Sequence, residues 1–481
     1  MDEKTTDPAE IVIIGAGPGG YAAAFLAADL GLDVTLIDPN KNPGGVCLYR
    51  GCIPSKALLN ASRLIREADA AGEMGIAFTK PKIDIHKLRS WKNGVVTKLT
   101  DGLGRLGNQR KIDYIRGKAK FKGNHILDVH TVENGTRELS FQHAVIATGS
   151  QSAELSGVDH GSPYILDSEA ALELEDIPKK LLIVGGGYIG LELGTVYASL
   201  GSKITLVEIT SGLLPGVDRD LVRVLRKPLD RLFETIALNT SVQDLKILKN
   251  GIKATLKGLD AEATQKRFDK VLVAVGRRPD TKDLGLEVAG ISVNSKGIIK
   301  VDSQCRTTAD NIFAIGDVAG EPMLAHKASH QGRVAIEVIA GRKSAFEPIA
   351  IPAVVFTDPE IAWAGLTEAR AKEMGIEFQT VRFPWAASGR AMTIGRTDGL
   401  TKLLLEKQTE RVIGVGIVGP HAGEMIAEGV LAIEMAANTT DLKLTVHPHP
   451  TLTETVQEAA ELFSGTATHY FSPNKAGHRN P

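Results

Sequence analysis

The stretch EIVIIGAGPGGYAAAFLAADLGLDVTLID, residues 10–38, decides the fold of this 481-residue chain. Its apolar start predicts a buried strand, and the three glycines of Gly15-x-Gly17-x-x-Gly20 predict a tight turn that opens a helix of small residues. A second apolar strand then ends at Asp38, 23 residues after the first glycine. This order of strand, glycine turn, helix, strand and acid is typical of a βαβ unit that binds a dinucleotide.

The same pattern recurs in KKLLIVGGGYIGLELGTVYASLGSKITLVE, residues 179–208, with Gly185-x-Gly187-x-x-Gly190 and Glu208 at the same spacing. In such units one glycine makes the turn, one lets a pyrophosphate approach the backbone, and one lets helix and strand pack closely. The pyrophosphate lies at the helix N-terminus, and the acid accepts hydrogen bonds from ribose hydroxyls. One such motif can be a structural turn only, but two complete copies predict two dinucleotide sites.

Composition and charge exclude several other classes. The net charge is −1, so no global field favours nucleic acid or an anionic membrane, and neither is expected as a partner. Residues 11–28 carry no charge, but their glycines and proline favour a strand, a turn and a helix over a membrane span. The polar, acidic start of the chain has no targeting pattern, and we expect a cytoplasmic protein.

The segment GGVCLYRGCIPSK, residues 44–56, holds Cys47 and Cys52, two of the three cysteines in the chain. A structural crosslink is rare in the cytosol, and a metal site needs further ligands, so no metal is predicted and a redox-active dithiol is favoured over two small buried side chains. Five residues rise about 7.5 Å in a helix, which exceeds the Cα separation of about 7 Å that a disulfide tolerates. The segment must therefore bend, and Gly51 permits this.

A pair of histidines occurs near the end of the chain in VHPHPTLTE, residues 446–454. Taken alone, His447 and His449 between prolines fit a rigid loop, or a zinc pair that lacks further ligands.

These motifs, together with IATGS, AVGRRPD, AIGDV, MLAHKASHQG and FPWAASGRA, carry a resemblance. From about Glu10 to Gly465 the chain closely resembles the dihydrolipoamide dehydrogenase family, within the flavin-dependent pyridine nucleotide–disulfide oxidoreductases. Two positions depart from the pattern: Tyr49 stands where the family more often has Asn, and Asp38 stands where many members have Glu.

The resemblance implies two cofactor sites. In the FAD site Asp38 binds the adenosine ribose, Lys56 lies near the flavin and pairs with Glu192, and Asp317 binds the ribityl chain. The other residues expected around FAD are Gly15, Gly17, Gly20, Gly45, Ala119, Thr148, Gly149 and Ala325. Those expected around NAD are Gly185, Gly187, Ile189, Gly190, Glu208, Val242 and Gly276.

The resemblance also implies the catalytic groups and the partners. Cys47 exchanges with substrate thiols, Cys52 lies near the flavin, and His449 is the base that Glu454 orients in the frame H-P-T-x-x-E; no role is expected for His447. In the family this loop reaches the disulfide of a second subunit, so a homodimer is expected. The substrate is protein-bound dihydrolipoamide, carried by a lipoylated E2 subunit or a glycine-cleavage lipoyl protein.

Related activities are disfavoured by individual residues. Glu208 would repel the 2′-phosphate of NADP, and no arginine follows it in ITSGLL, so NAD is expected and glutathione reductase is disfavoured. Mercuric reductase and large thioredoxin reductases need a C-terminal cysteine pair, whereas Cys305 is alone and upstream. A flavin-containing scaffold without activity would not need the dithiol and His449 together.

The predicted fold class is α/β, with two Rossmann-like domains and a C-terminal α+β dimerisation domain. Residues 1–150 are expected to bind FAD and residues 151–280 to bind NAD. Residues 281–350 are expected to complete the FAD domain, and residues 351–481 to form the interface domain.

Overall fold

The computed structural model describes residues 9–133, 135–259 and 261–471. The expectation for the acidic start of the chain falls on residues 1–8, which lie outside the described residues, as do residues 472–481.

The first part of the chain forms a sheet of mainly parallel strands. Its strands are β1 (Ala9–Ile14), β2 (Val34–Asp38), β3 (Asp113–Gly123), β4 (Ile126–Thr131) and β5 (Gly135–Ile146). Its helices are α1 (Pro18–Asp29), α2 (Gly45–Arg50), α3 (Cys52–Ala70) and α4 (Ile85–Gln109), with a 3-10 turn at Ala71–Met74. Strand β1 pairs in parallel with β2 and β5, and β2 pairs in parallel with β3. An antiparallel meander of β3, β4 and β5 extends the same sheet.

A second parallel sheet follows. The strands of this part are β6 (Ser150–Ser152), β7 (Ile165–Leu166), β8 (Lys180–Val184), β9 (Lys203–Val207), β10 (Thr235–Ala237), β11 (Thr240–Ile247), β12 (Ile252–Gly258), β13 (Thr264–Phe268), β14 (Lys270–Val273) and β15 (Arg277–Pro279). Its helices are α5 (Ser168–Glu173), α6 (Tyr188–Ser199) and α7 (Arg219–Leu232). The parallel order is β10-β9-β8-β14-β7, and β11, β12 and β13 form a separate antiparallel sheet.

The chain then returns to the first sheet. Strand β16 (Ile312–Ala314) pairs in parallel with β5, and helix α8 (Ala325–Ile339) follows it; 3-10 turns lie at Glu287–Ala289 and Gly316–Ala319. Helix α8 packs on α1 at very short range, because a Cβ on Gly332 would stand 2.7 Å from the carbonyl oxygen of Gly19. Two helices that are far apart in the sequence therefore pack against each other on the first sheet.

The last part of the chain is an antiparallel sheet with helices. Its strands are β17 (Ala353–Val355), β18 (Glu360–Gly365), β19 (Phe378–Pro384), β20 (Leu400–Glu406) and β21 (Val412–Gly419), in the order β17-β18-β21-β20-β19. Its helices are α9 (Glu368–Glu373), α10 (Gly389–Thr393), α11 (Ala422–Glu434), α12 (Thr439–Leu444) and α13 (Glu454–Ser464), with a 3-10 turn at Trp385–Ala387. The change in sequence texture near residue 350 predicted this α+β part correctly.

A buried lysine ties this last part to the second sheet's helices. The Nζ atom of Lys402 on β20 lies 2.8 Å from Asp218, 3.0 Å from Asp220 and 2.6 Å from Glu368, and its side chain is 1% exposed. The three carboxylates lie close enough together to hold a cation, and the cation that they hold is this ammonium. A buried charge needs such partners, so the network is an attachment point between α7 and the C-terminal sheet.

Strands β1 and β8 are buried along nearly their whole length, as expected for parallel strands covered on both faces. Among the described residues no helix is both long enough and apolar enough to cross a membrane.

Candidate active site

The first and third glycines of each turn are required by the packing of the protein itself. Gly15 has φ +99°, and a Cβ on Gly20 would overlap the carbonyl oxygen of Gly15. By contrast, a Cβ on Gly17 would meet nothing closer than Gly45 Cα at 4.0 Å, and one on Gly187 would meet nothing within 4 Å. The middle glycines therefore keep open space at the N-termini of α1 and α6, which is the place where a pyrophosphate lies in such turns.

The acid at the end of each second strand is buried against its own glycine turn. Asp38 accepts hydrogen bonds from the N–H of Ala16 at 2.8 Å and of Asn40 at 2.9 Å. Glu208 accepts equivalent bonds from the N–H of Gly186 at 2.6 Å and of Thr210 at 2.8 Å. Backbone donors thus fix both carboxylates at the edge of the turn, in the position from which the motif's acid contacts a ribose.

A cleft of about 960 Å³ opens above the first sheet. Many of the predicted residues line it, from all three parts of the chain before residue 350. They are Gly15, Gly17, Asp38, Gly45, Cys47, Cys52, Lys56, Ala119, Thr148, Gly149, Ile189, Glu192, Asp317 and Ala325. The cleft fits an extended cofactor that begins at the glycine turn, because Gly45 (φ +58°) leaves no Cβ to fill the space beside Gly17.

The two thiols lie on either side of a break between helices. Helix α2 ends at Arg50, and α3 begins at Cys52, because Gly51 adopts a non-helical conformation with φ −142° and ψ −113°. The predicted bend at Gly51 is confirmed. Both cysteines are free thiols, and the pKa of each is shifted first by hydrogen bonding between them, with Cys47 as the donor.

This hydrogen bond separates the acidities of the two thiols. The bond from Cys47 lowers the pKa of Cys52, and although burial opposes this shift, the charge of Lys56 adds to it. The pKa of Cys47 is raised, first because its proton is held in the bond to Cys52 and second because it is buried. Cys52 is also the first residue of α3, where helix N–H groups favour an anion. The pair is thus set up to hold its negative charge on Cys52.

The predicted pair of Lys56 and Glu192 is present. The Nζ atom of Lys56 donates to Glu192 Oε2 at 2.9 Å and lies 4.6 Å from the centre of the Phe356 ring. The other oxygen of Glu192 accepts from the backbone N–H of Phe356 at 2.9 Å. Glu192 is nearly buried, so this contact joins α3, α6 and the start of the C-terminal part beside the dithiol.

The sequence did not single out the residues that hold Asp317. Ser150 donates a hydrogen bond to Asp317, and Arg277 in turn donates to Ser150 Oγ at 2.7 Å. Buried Lys327 braces the turn around Asp317 through the carbonyl oxygens of Gly316 at 3.2 Å and Gly320 at 2.6 Å. Ser150, Arg277, Asp317 and Lys327 belong to the motifs IATGS, AVGRRPD, AIGDV and MLAHKASHQG. A motif, however, does not say which side chains contact each other.

The two histidines near the end of the chain have separate partners. His449 Nδ1 lies 2.9 Å from Glu454 Oε1, and its side chain is 74% exposed. Burial would raise the pKa of Glu454, but hydrogen bonds from the N–H of Thr451 and from His449 outweigh it, and the pKa is lowered. The side chain of His447 is 5% exposed and lies between Glu428 Oε1 at 2.7 Å and the carbonyl oxygen of Thr445 at 2.9 Å. The expectation of no role for His447 overlooked these contacts.

The remaining predicted residues do not line the cleft. Gly20 packs inside the first turn, while the predicted NAD residues Gly185, Gly187, Gly190, Glu208, Val242 and Gly276 lie outside the cleft's lining. His449 and Glu454 are also absent from the lining, so within the part of the chain that the structure describes the predicted base does not share the cleft of its own two cysteines.

Comparison with known proteins accounts for this arrangement. The model of the pyridine nucleotide-disulphide oxidoreductase family matches residues 9–332, and that of the family's dimerisation domain matches residues 351–460.

The chain belongs to the pyridine nucleotide-disulphide oxidoreductase family.

Membership confirms the predicted resemblance, the fold class and the oxidoreductase activity. It makes the chain a flavoprotein whose cofactors are FAD and NAD, and the matched dimerisation domain supports a homodimer.

Individual relatives align with this chain over nearly their whole length. A dihydrolipoyl dehydrogenase of Vibrio cholerae is 49% identical over 460 residues, which cover 96% of this chain and 96% of that protein. A dihydrolipoyl dehydrogenase of Geobacillus stearothermophilus is 45% identical, covering 96% and 97%. The crystal structure of LpdA from Mycobacterium tuberculosis aligns with a TM-score of 0.87 at 27% identity, covering 95% of this chain and 99% of that one. The Cu(II) complex of the flavoprotein disulfide reductase RclA from Escherichia coli aligns with a TM-score of 0.85 at 31% identity, covering 95% and 100%.

Proposed function

We propose that this chain is a dihydrolipoyl dehydrogenase that oxidises protein-bound dihydrolipoamide and reduces NAD+. The observation that carries the proposal is the dithiol at the floor of the cleft, with an acidic Cys52 beside Lys56 and a base on a separate part of the chain. The names and the identities of the full-length relatives point to the same activity.

In this proposal the working protein carries Cys47 and Cys52 as a disulfide. His449 of the other subunit accepts a proton from one substrate thiol, and the resulting thiolate attacks Cys47 Sγ and breaks the Cys47–Cys52 bond. Cys52 leaves as a thiolate, the form that its lowered pKa favours. Glu454 holds the imidazole in one orientation, as the third group of a base–orienter arrangement.

The second substrate thiol then loses its proton to solvent and attacks the mixed disulfide. The cyclic disulfide of lipoamide forms, and Cys47 leaves and takes the proton held by His449. Two electrons have passed to the protein dithiol, and the atoms balance. Bound FAD supplies the redox step that returns the dithiol to the disulfide and delivers a hydride to NAD+.

The residues that hold the cofactors are part of the proposal. Asp38, Gly17, Lys56 and Asp317 are assigned to FAD, together with Gly15, Gly20, Gly45, Ala119, Thr148, Gly149 and Ala325. Glu192 is assigned to the same site as the partner of Lys56. Glu208 and Gly187 are assigned to NAD, together with Gly185, Ile189, Gly190, Val242 and Gly276. The division into residues 1–150, 151–280, 281–350 and 351–481 is likewise proposed, supported by the return of β16 to the first sheet.

The choice of NAD over NADP has support in the surroundings of Glu208. Arg219, the first arginine after it, is engaged by the carbonyl oxygens of Leu213 at 2.8 Å and Leu214 at 2.6 Å, and by that of Val217. It is therefore not free to neutralise a 2′-phosphate.

Two further assignments follow from the proposed substrate. A lipoylated E2 subunit or glycine-cleavage lipoyl protein is the partner, because the proposed substrate is protein-bound dihydrolipoamide. A cytoplasmic location is proposed as well, since a cycling dithiol suits a compartment that keeps thiols reduced.

The test is an assay of purified, FAD-loaded protein with dihydrolipoamide and NAD+, with glutathione and NADP+ as parallel controls. We expect NADH to form only from dihydrolipoamide. Equal turnover of glutathione, or none of dihydrolipoamide, contradicts the proposal. A pull-down of lipoylated proteins then identifies which complex is served.

A further inference from the structure

Tyr49 lies between the two cysteines on α2, at a position where the family more often has Asn. Its hydroxyl donates a hydrogen bond to the carbonyl oxygen of Asn42 at 3.0 Å and accepts one from the N–H of Asn42 at 3.3 Å. Its ring lies against the turn into α2, because a Cβ on Gly44 would stand 3.1 Å from ring carbon Cε2. Tyr49 therefore attaches α2 to the main chain of residues 39–43, which we call the Asp38 loop.

The Asp38 loop is itself held from two other elements. The side-chain amide of Asn42 donates to Asp101 on α4 at 2.8 Å, and the hydroxyl of Tyr114 on β3 donates to the carbonyl oxygen of Asn40 at 3.0 Å. Asn40 donates in turn to Asp38, the acid of the first glycine motif. The loop is thus a rigid support, and Tyr49 is the side chain through which α2 contacts it.

Helix α2 has few polar side-chain anchors. It is six residues long, it has no side-chain cap at its N-terminus, and a glycine stands at each end. Its start is held by the N–H of Gly44, which donates to the carbonyl oxygen of Ala16 at 2.8 Å, and Leu48 packs inward. Besides Tyr49 and Cys47, its polar side chain is Arg50, which forms an ion pair with Glu169 at 3.2 Å in which both side chains are about one-third exposed or more. An exposed ion pair of this kind contributes little to position. A rotation of α2 would move Cys47 while Cys52, on the far side of the break at Gly51, stays with α3.

We propose that Tyr49 is a positioning residue for the dithiol, which holds Cys47 in hydrogen-bonding register with Cys52 by fastening α2 to the Asp38 loop. The functional meaning of this register rests on the proposed redox role of the two thiols.

The other groups around Cys52 belong to different helices, so the effect of moving α2 on Cys52 can be measured separately from theirs. Lys56 belongs to α3, Glu192 and Tyr188 belong to α6, and Tyr21 belongs to α1. None of these four side chains moves with α2. Cys47 is therefore the one neighbour whose contact with Cys52 depends on Tyr49, and it is the hydrogen-bond donor that favours the thiolate.

The test is the pH profile of Cys52 alkylation in reduced, FAD-loaded protein. Iodoacetamide reacts with the thiolate, and mass spectrometry gives its rate at Cys52 separately from Cys47. In Tyr49→Phe the Cys47 donor is less well held and the thiolate is less stable, so the profile moves to higher pH. Because one hydrogen bond is weakened, we expect the rate at pH 7 to fall by about 2–10-fold. FAD content and the thermal midpoint remain close to wild type.

The matched control is Tyr114→Phe, which removes the other tyrosine bond to the same loop without touching α2, and its profile should match wild type. Tyr49→Asn, the residue more frequent in the family, should move the profile in the same direction as Tyr49→Phe, and it serves if Tyr49→Phe does not fold. An unmoved profile in the Tyr49 variants, or an equal shift in Tyr114→Phe, overturns the proposal. The readout needs no dihydrolipoamide, so a failure of the proposed activity leaves this comparison decisive.

Discussion

Cys47 and Cys52 carry the same side chain, yet their surroundings push their acidities in opposite directions. One proton is shared between them, and the neighbouring ammonium of Lys56 favours leaving the negative charge on Cys52. Glu192 lies beyond this ammonium and opposes the effect, but it is the weaker contributor. The acidity of Cys52 therefore depends on Cys47, Lys56 and Glu192 together. Removing any one of them should shift the pKa of Cys52 in a direction that can be predicted.

Cys47→Ala should raise the pKa of Cys52, because it removes the hydrogen bond that contributes most to the lowering. Cys52 in the reduced wild type has a pKa of about 7, so its thiolate is present above that pH and is lost as the pH falls through it. Alkylation rates across pH 5–10 measure the shift. A profile in Cys47→Ala that lies at or below the wild-type pH would contradict the assigned donor.

Glu208 is the proposed determinant of nucleotide choice at the second glycine turn. Its carboxylate is fixed by two backbone N–H groups, and a carboxylate at this place would accept from a ribose hydroxyl but repel a phosphate. Glu208→Ala together with Ser211→Arg should move the ratio of kcat/KM for NAD+ and NADP+ towards NADP+ by at least about tenfold, which is ~1.4 kcal/mol. Glu208→Gln, which keeps the shape, is the control. Use of NADP+ by the wild type at the same rate as NAD+ would show that the carboxylate does not discriminate.

At the scale of elements, the segment between α12 and α13 carries the proposed base. Glu454, at the start of α13, accepts from the N–H of Thr451 and contacts His449, so the helix start orients the ring. One turn further along, Glu458 contacts His469 at 2.6 Å. On the other side of the segment, His447 contacts Glu428 on α11. The exposed His449 ring thus projects from a segment that is fastened to two helices.

His449→Gln should slow dithiol oxidation by about 10²–10⁴-fold, the contribution of a positioned base. Glu454→Gln should be milder, since the base remains. His447→Gln should cost about 2–10-fold, because it disturbs one of the hydrogen bonds that hold the segment. Rapid-reaction measurement of flavin reduction by dihydrolipoamide isolates this step. A larger loss in His447→Gln than in His449→Gln would show that His447, and not His449, is the base.

At the scale of the whole molecule, the dithiol lies where three parts of the chain meet. Lys56 comes from the first sheet's helices, Glu192 from the second, and Phe356 from the start of the C-terminal part. The base and its glutamate lie in the C-terminal part but do not line the cleft of their own chain. Because a dimerisation domain is matched to the same part of the chain, we propose that His449 serves the second subunit.

Mixing Cys47→Ser and His449→Gln subunits should restore turnover with dihydrolipoamide. Each variant alone is expected to be inactive or nearly so, but in a mixed dimer one of the two sites regains both groups. Activity should approach about one quarter of the wild-type value at equal mixing, since half of the dimers are mixed and each has one complete site. Native mass spectrometry checks subunit exchange. Confirmed exchange without recovery would mean that each chain supplies its own histidine.

Part of this structure could be predicted from the sequence, because it depends on local chemistry. The glycine turns could be predicted because overlap with the backbone excludes any Cβ at Gly20. The break between the cysteines could be predicted because five residues of helix rise further than the Cα separation that a disulfide tolerates. The antiparallel sheet after residue 350 could be predicted from the change from continuous to alternating apolar strands. Each of these features depends on residues close together in the chain.

The contacts between distant residues were decided by the tertiary structure. The hydrogen bonds of Ser150 and Arg277 near Asp317, of His447 with Glu428, and of Tyr49 with the Asp38 loop join segments whose separation along the chain carries no pattern. The Lys56–Glu192 pair was expected only through resemblance, because residues 136 apart meet only after two sheets have packed. Motifs specify which groups are available, whereas packing determines which of them lie within hydrogen-bonding distance and so what their acidities become.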